Sequence, residues 1–324
     1  MIRRRETLVR WTLALLLLGA ALITWRLVGF FGQSLLAETT IFALFAMSVD
    51  FLAGGAGLMS LGQAMYFGMG AYTTAILTTE WHLSALATIP IGMAVAAGVA
   101  LVLGSLIVRF GEVIFIMLTL AVGEMLYAYI FANRAIGGSD GIPGIARADL
   151  TGIGIDTQNG SAFSAVVIVI AFAAFIFFDG LLRSPFGLVL KAVRQNPARA
   201  RALGAPVRRL QIAAYVISSP AAALAGSLLA QLNNYASPDL TGWDLSGLVL
   251  IMVIFGGLGS LSGAALGAVI VELLSHFTSR YTSHWGLILG LLFILVVLFA
   301  DNGLFAIFVR LALWIGERRR DQPC

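Results

Sequence analysis

The amino-acid sequence predicts an all-α, polytopic transmembrane helical bundle of eight to ten spans with a short cytoplasmic coupling helix, and three observations carry the membrane part of that prediction. The first is solvent preference. Of 324 residues, 60% are apolar and 11% charged, and the mean hydropathy is +0.96, whereas about a quarter of the residues of a soluble domain are charged. The second is length. Apolar stretches near the roughly 20 residues that a spanning helix needs recur from Trp11 almost to the C-terminal end, separated by short polar breaks. The third is the placement of cations. Lys and Arg near span ends are retained on the cytoplasmic side. With the N-terminus inside and ten spans, every one of the 20 Lys and Arg residues except Arg26, Arg134, Arg147 and Arg280 falls on that side.

Taken in order, the spans read as 11–31, 36–54, 60–79, 87–108, 113–133, 163–182, 210–231, 245–256, 261–275 and 285–300. The first follows a basic N-terminus in the manner of a signal peptide, but it lacks a small-residue cleavage site and has the length of a span. It is expected to be retained. The eighth and ninth are short, and read either as half-helices or as one long broken helix; hence the range in the count. The longest loops are 134–162, extracytoplasmic, and about 183–210, cytoplasmic. No Pro- or Ser-rich linker divides the chain, so residues 1–324 are read as one transmembrane domain with both termini cytoplasmic.

Several chemistries are argued against. Cys324 is the only cysteine, so neither a disulfide nor a thiolate metal site forms within one chain. Lys191, the only lysine, lies between Leu190 and Ala192 and completes no phosphate-binding loop. The chain therefore cannot hydrolyse ATP by that route, and no cofactor is expected. His82, His276 and His284 have no metal-ligand spacing. Gly137-Gly138-Ser139-Asp140-Gly141 fits the nucleophile elbow G-x-S-x-G formally. That elbow needs a strand before it and a helix after it, whereas this segment leaves a span and enters the turn-forming Ile142-Pro143-Gly144. The reading is therefore a non-enzyme. A net charge of +4 and a pI near 9.6 follow from topology and imply no nucleic acid.

The segment Arg183–Leu210 reads RSPFGLVLKAVRQNPARARALGAPVRRL and holds seven of the cationic residues. Asn196 suits an N-cap, Pro197 the first helical position, and Gly204 followed by Pro206 ends the helix after Ala198–Leu203. Two readings stand side by side: a short helix that docks in a partner's groove and transmits rigid-body motion, or a positive-inside loop on anionic headgroups.

Glycine marks the membrane part. Gly54-Gly55-x-Gly57 and Gly256-Gly257-x-Gly259 are breaks, one in each half, and lipid tolerates irregular backbone only where protein buries it or a wet cavity meets it. Paired breaks point to a transport path, with Ser60, Gln63, Tyr66 and Ser260 offering polar contacts; the alternative is tight turns and close packing. Gly259, Gly263 and Gly267, and Ala222, Gly226 and Ala230, recur every four residues as packing ridges. Glu124 falls mid-span, where an acid must face other helices or water. Asp50, Glu112 and Glu272 fall nearer span ends, where solvation is cheap.

Five segments resemble, in order, the branched-chain amino acid permeases of the LivM type. They are GGAGLMSLGQAMYFGMGAYT at 54–73, LTLAVGE at 118–124, GGSDGIPGI at 137–145, RQNPARARALG at 194–204 and IFGGLGSLSGAALGA at 254–268. The fourth is similar to the coupling segment of ABC importer permeases, with Gly204 at the place of its glycine, but Ala198-Arg199-Ala200 stands where Glu-Ala-Ala is usual. FGEVIF at 110–115 and Asp301-Asn302 before Gly303 also depart from the pattern. The resemblance implies a permease subunit of an ABC importer in the bacterial cytoplasmic membrane. It implies as partners two cytoplasmic ABC ATPase subunits, a second related permease, an extracytoplasmic solute-binding protein and membrane lipid. Leucine, isoleucine and valine are the implied cargo; relatives carry urea and short amides. ATPase coupling would fall to Arg194, Asn196, Arg199, Arg201, Leu203 and Gly204. The path would use Gly55, Gly57, Ser60, Gln63, Tyr66, Glu124, Gly257, Gly259 and Ser260. An ion-coupled secondary transporter, using the paired breaks and Glu124 without a coupling helix, is the alternative.

Overall fold

A computed structural model describes residues 2–27, 29–148, 160–281 and 285–299. Residues 149–159 of the loop 134–162 lie outside the described residues, as do His284 and the C-terminal stretch with Asp301, Asn302, Gly303, Arg310, Arg318, Arg319, Arg320 and Cys324. Helices account for nearly all of the rest. In chain order they are α1 (Ile2–Leu27), α2 (Phe30–Asp50), α3 (Gln63–Thr79), α4 (Ala85–Ile107), α5 (Glu112–Ala132) and α6 (Gly160–Arg183). There follow α7 (Pro185–Gln195), α8 (Pro197–Ala202), α9 (Val207–Asn233), α10 (Trp243–Gly256), α11 (Leu261–Ser279) and α12 (Trp285–Phe299).

Six helices are long and apolar enough to cross a membrane: α2 with its π-helical continuation (Phe31–Ala56), α4, α5, α6, α9 and α11. The other expected spans are also helical, with α3, α10 and α12 shorter at 17, 14 and 15 residues. The fold is an all-α membrane bundle, and every expected span has its helix. The eighth and ninth spans are separate helices, α10 and α11, packed on each other across a four-residue turn.

Small residues set the closest approaches. α9 lies against α3 and α4, and α2 against α6, α9 and α11. A methyl group on Gly226 would overlap the Phe67 carbonyl, and one on Gly70 would overlap the Ala223 carbonyl, so α3 and α9 touch backbone to backbone through the Ala222-Gly226-Ala230 ridge. Gly267 meets the Met252 carbonyl and Gly256 meets the Gly263 carbonyl in the same manner between α10 and α11. Around these contacts Phe45 and Phe67 pack at 4.7 Å, and Tyr215 receives Tyr66 and Phe115 edge-on, each at 5.6 Å.

At the end of the bundle opposite α7 and α8, Gly137, Gly138 and Gly141 adopt φ of +90°, +53° and +68° through two short 3-10 turns. The chain then enters β1 (Ile142–Pro143), which pairs antiparallel with β2 (Tyr235–Ala236). The G-x-S-x-G stretch is thus a glycine turn stitched to the α9–α10 connection, not a strand–nucleophile–helix elbow.

Candidate functional site

The first break begins where α2 passes into a π-helical segment, Phe51–Ala56, which ends at Gly57 with φ +75°. Single-turn π segments widen a helix and often mark functional places. The Gly57 N–H bonds the Ala53 carbonyl at 3.2 Å. The second break begins where α10 ends; Gly257, φ +109°, bonds the Val253 carbonyl at 2.9 Å in the same i to i−4 pattern. The true counterparts are therefore Gly57 and Gly257, followed by Leu58 and Leu258, Ser60 and Ser260, Leu61 and Leu261. Each break also carries a serine that accepts a backbone N–H: Ser60 Oγ from Gly62 within the turn, and Ser260 Oγ from Gly263 as the N-cap of α11, each at 3.2 Å.

The two breaks touch each other. A methyl group on Gly54 would overlap Gly259 N and Asp50 Oδ1. Asp50 Oδ1 accepts from the Gly259 N–H at 2.7 Å, and Arg194 Nη1 donates to the Gly54 carbonyl. Arg194 also lies alongside Gly57, its Cγ 3.1 Å and its Cα 3.4 Å from where a Cβ would stand, and its Nη1 is 2.7 Å from the Cβ position of Gly259. Gly55 faces the other way, toward Leu182 and Leu190 at the α6–α7 bend. Asp50 overturns the sequence expectation of a cheaply solvated span end, because it is 0% exposed. The π-helical segment, buried from Phe51 to Ala56, continues the buried path beyond Asp50, so α2 does not surface there.

The segment after α6 holds two helices where sequence reading placed one. Ser184 Oγ accepts from the Gly187 N–H at 3.4 Å, and Pro185 opens the 11-residue α7. Asn196 Oδ1 then accepts from the Arg199 N–H at 2.8 Å, and Pro197 opens α8, as the capping pattern predicts. Gly204, φ +84° with nothing near its Cβ position, ends that unit. Val193, Ala200 and Val207 form a small core beneath it. The opposite face is bare: Arg199 and Arg201 are exposed and Leu203 is 83% exposed.

A second locus lies midway along α5. Glu124 Oε1 accepts from the Trp243 N–H at 3.1 Å, so the carboxylate caps the first turn of α10. One turn back, Gly62 packs against the Thr119 backbone and Gly123 approaches the Gly62 Cα. Ser246 Oγ of α10 accepts from the Ala64 N–H at 2.9 Å. The starting ends of α3 and α10 thus converge on the same stretch of α5. Gln63 donates to Ser218 Oγ at 3.3 Å. Ser60, Gln63, Tyr66 and Ser260 are all buried; the structure gathers the first three around Tyr215 and α3, and Ser260 beside Ser262 on the α11 turn. Among the described residues no group of three or more His, Cys, Asp or Glu side chains is placed to hold a metal.

Two features escaped sequence reading. Asp50 gives no signal beyond its position, whereas α7 is announced by Ser184-Pro185, the same cap-and-proline pair that marks α8 at Asn196-Pro197.

Comparison with known proteins agrees with this architecture. Residues 33–297 match the family model described as branched-chain amino acid transport system / permease component. The chain is 27% identical to the high-affinity branched-chain amino acid transport system permease protein LivM of Escherichia coli (strain K12), over 82% of this chain and 68% of that protein. It is 34% identical to the probable branched-chain amino acid transport permease protein LivM of Methanocaldococcus jannaschii over 48% of this chain and 46% of the other. With the probable LivH of that organism it shares 26% identity over 68% and 72%. No solved structure matches. A family model covering the bundle from α2 to α12 settles the relationship: the chain belongs to the family of branched-chain amino acid transport system permease components.

Proposed function

We propose that this chain is the membrane-spanning permease subunit of an ATP-driven importer for leucine, isoleucine and valine. It works with two cytoplasmic ABC ATPase subunits, a second related permease and an extracytoplasmic solute-binding protein, in the bacterial cytoplasmic membrane with both termini inside. Family membership supports the class. The observation that carries the mechanism is α8: a helix capped at both ends, packed beneath by Val193, Ala200 and Val207 and bare above, where Leu203 follows the exposed Arg199 and Arg201. An exposed apolar residue at the end of a cationic helix suits a partner's groove, and a six-residue helix does not persist without such support. The nucleotide cycle moves α8; the membrane part opens by separating elements at its glycine breaks; the binding protein selects the cargo.

The experiment is uptake into proteoliposomes that hold the whole complex with its ATPases, supplied with solute-loaded binding protein. Leucine should enter only with ATP available to the ATPases, and Leu203→Asp should lower uptake on the order of tenfold, the loss expected of a central apolar contact. Uptake that persists without ATP and collapses with an ion gradient would sink the proposal. Import of urea or a short amide in place of leucine would sink the substrate assignment alone.

A further inference from the structure

Beyond the packing of α7 on α6, α9 and the π-helical segment, motion of α7 and α8 has three routes into the bundle. Two are covalent. The link from α8 to α9 runs through Leu203, Gly204, Ala205 and Pro206, with Gly204 at φ +84° and open space around it; a glycine joint of this kind bends rather than pushes. The link from α6 to α7 turns at Ser184 and reaches only the ends of those two helices. The third route is a side chain. Arg194, in the last turn of α7, donates to the Gly54 carbonyl, runs along Gly57 and ends beside Gly259.

Both breaks are therefore tied to one residue outside the membrane helices. Gly54 and Gly57 belong to the α2–α3 break, Gly259 to the α10–α11 break, and Asp50 closes the ring by holding the Gly259 N–H. The glycines make the ring possible: a β-carbon on Gly54 would overlap Gly259, and on Gly57 and Gly259 the backbone has positive φ as well as Arg194 against it. Displacing α7 without moving the breaks would strip the guanidinium from a backbone carbonyl. That loss forfeits a charge-assisted bond, which has about twice the strength of a neutral one.

We infer that Arg194 is a positioning residue that clamps the α2–α3 and α10–α11 breaks together, and that displacement of α7 and α8 reaches the membrane part through it. Asp50 is the second half of the clamp. The inference rests on the importer reading for its direction of drive, and on the contacts alone for the clamp.

The test uses the assembled complex in proteoliposomes with Arg194→Ala and Arg194→Lys. Two quantities are read: leucine imported per ATP hydrolysed, and backbone hydrogen exchange in residues 54–59 and 257–260. For Arg194→Ala the ratio should fall on the order of tenfold, because ATP hydrolysis continues while uptake fails, and exchange should rise at both breaks together by a similar factor. The α3–α9 contact should keep wild-type exchange, which separates a lost clamp from a damaged fold. Arg194→Lys keeps the charge but not the fork, and should recover part of both readings. If the alanine variant fails to assemble, the lysine variant carries the test, with a smaller shift in the same sense. An unchanged import ratio, or exchange that rises at one break and not the other, overturns the clamp. Failure of the importer reading looks different: wild-type uptake itself would then not depend on ATP.

Discussion

At residue scale the decisive positions are those where a backbone occupies the space a side chain would need. Gly226 lies against the Phe67 carbonyl and Gly70 against that of Ala223, while Gly98 on α4 has nothing near its Cβ position. Alanine at Gly226 must push α3 from α9, an overpacking cost of about 1–3 kcal/mol. At Gly98 alanine has no neighbour to displace and is the better helix former. Thermal denaturation of the purified protein in detergent should therefore separate Gly226→Ala, clearly destabilised, from Gly98→Ala, unchanged or slightly more stable; equal midpoints would refute the close contact. Asp50 supplies a second contrast. Asp50→Ala removes the acceptor of the partly buried Gly259 N–H and should cost about 1 kcal/mol, whereas Asp50→Asn keeps an oxygen in place and should cost less. Spacing made the ridge of Ala222, Gly226 and Ala230 legible beforehand. Nothing in spacing reveals that the chain stays buried past Asp50, because a π-helical segment has no sequence signature as plain as a proline or a cap.

At the scale of elements, α8 is legible from its cap and α10 to within two residues of its start, whereas α7, marked by the same cap-and-proline pair as α8, escapes sequence reading. Asn196-Pro197 and Ser184-Pro185 are local signals, and α8 begins where its cap predicts. What caps α10 is another matter, since its first turn is held by Glu124, which lies 119 residues earlier in the chain. Glutamate at mid-span reads from sequence as an expensive charge awaiting a partner; only the fold shows that the partner is a helix end. Two measurements follow. Asn196→Ala should loosen α8 by about 1 kcal/mol, seen as faster proteolysis at residues 196–204 without a shift in the thermal midpoint of the bundle. Glu124→Gln, which retains a carbonyl acceptor for the Trp243 N–H, should hold thermal stability near wild type, while Glu124→Ala should lose on the order of 1 kcal/mol. Equal losses in the two variants would show that the charge and not the cap is what matters there.

At the scale of the whole molecule, α5 and α4 are the least covered of the long helices. Only about a fifth of the apolar window of α5, 22%, is buried, against 61% for α9 and 78% for the α2 segment. α4 is equally bare, but its exposed residues are apolar, as lipid requires, whereas α5 carries Glu124 at mid-depth next to Met125, which is 72% exposed, with Tyr129 and Trp243 nearby at 61% and 49%. An acid at the centre of a bilayer costs several kcal/mol if lipid meets it, and one oxygen bonded to the Trp243 N–H does not remove that cost. The face of α5 around Glu124 is therefore expected to lie against protein or water in the assembled transporter, while the exposed faces of α4 and α12 meet lipid. If the second permease covers it, a cysteine replacing Met125 will crosslink to that subunit and resist a maleimide probe dissolved in the bilayer. One replacing Leu101 on α4 or Leu287 on α12, each exposed and free of charged neighbours in its own turn, will react with the probe and give no crosslink. Reaction of the Met125 cysteine with the lipid-borne probe at the rate of the other two would place α5 in the bilayer and move the subunit interface elsewhere.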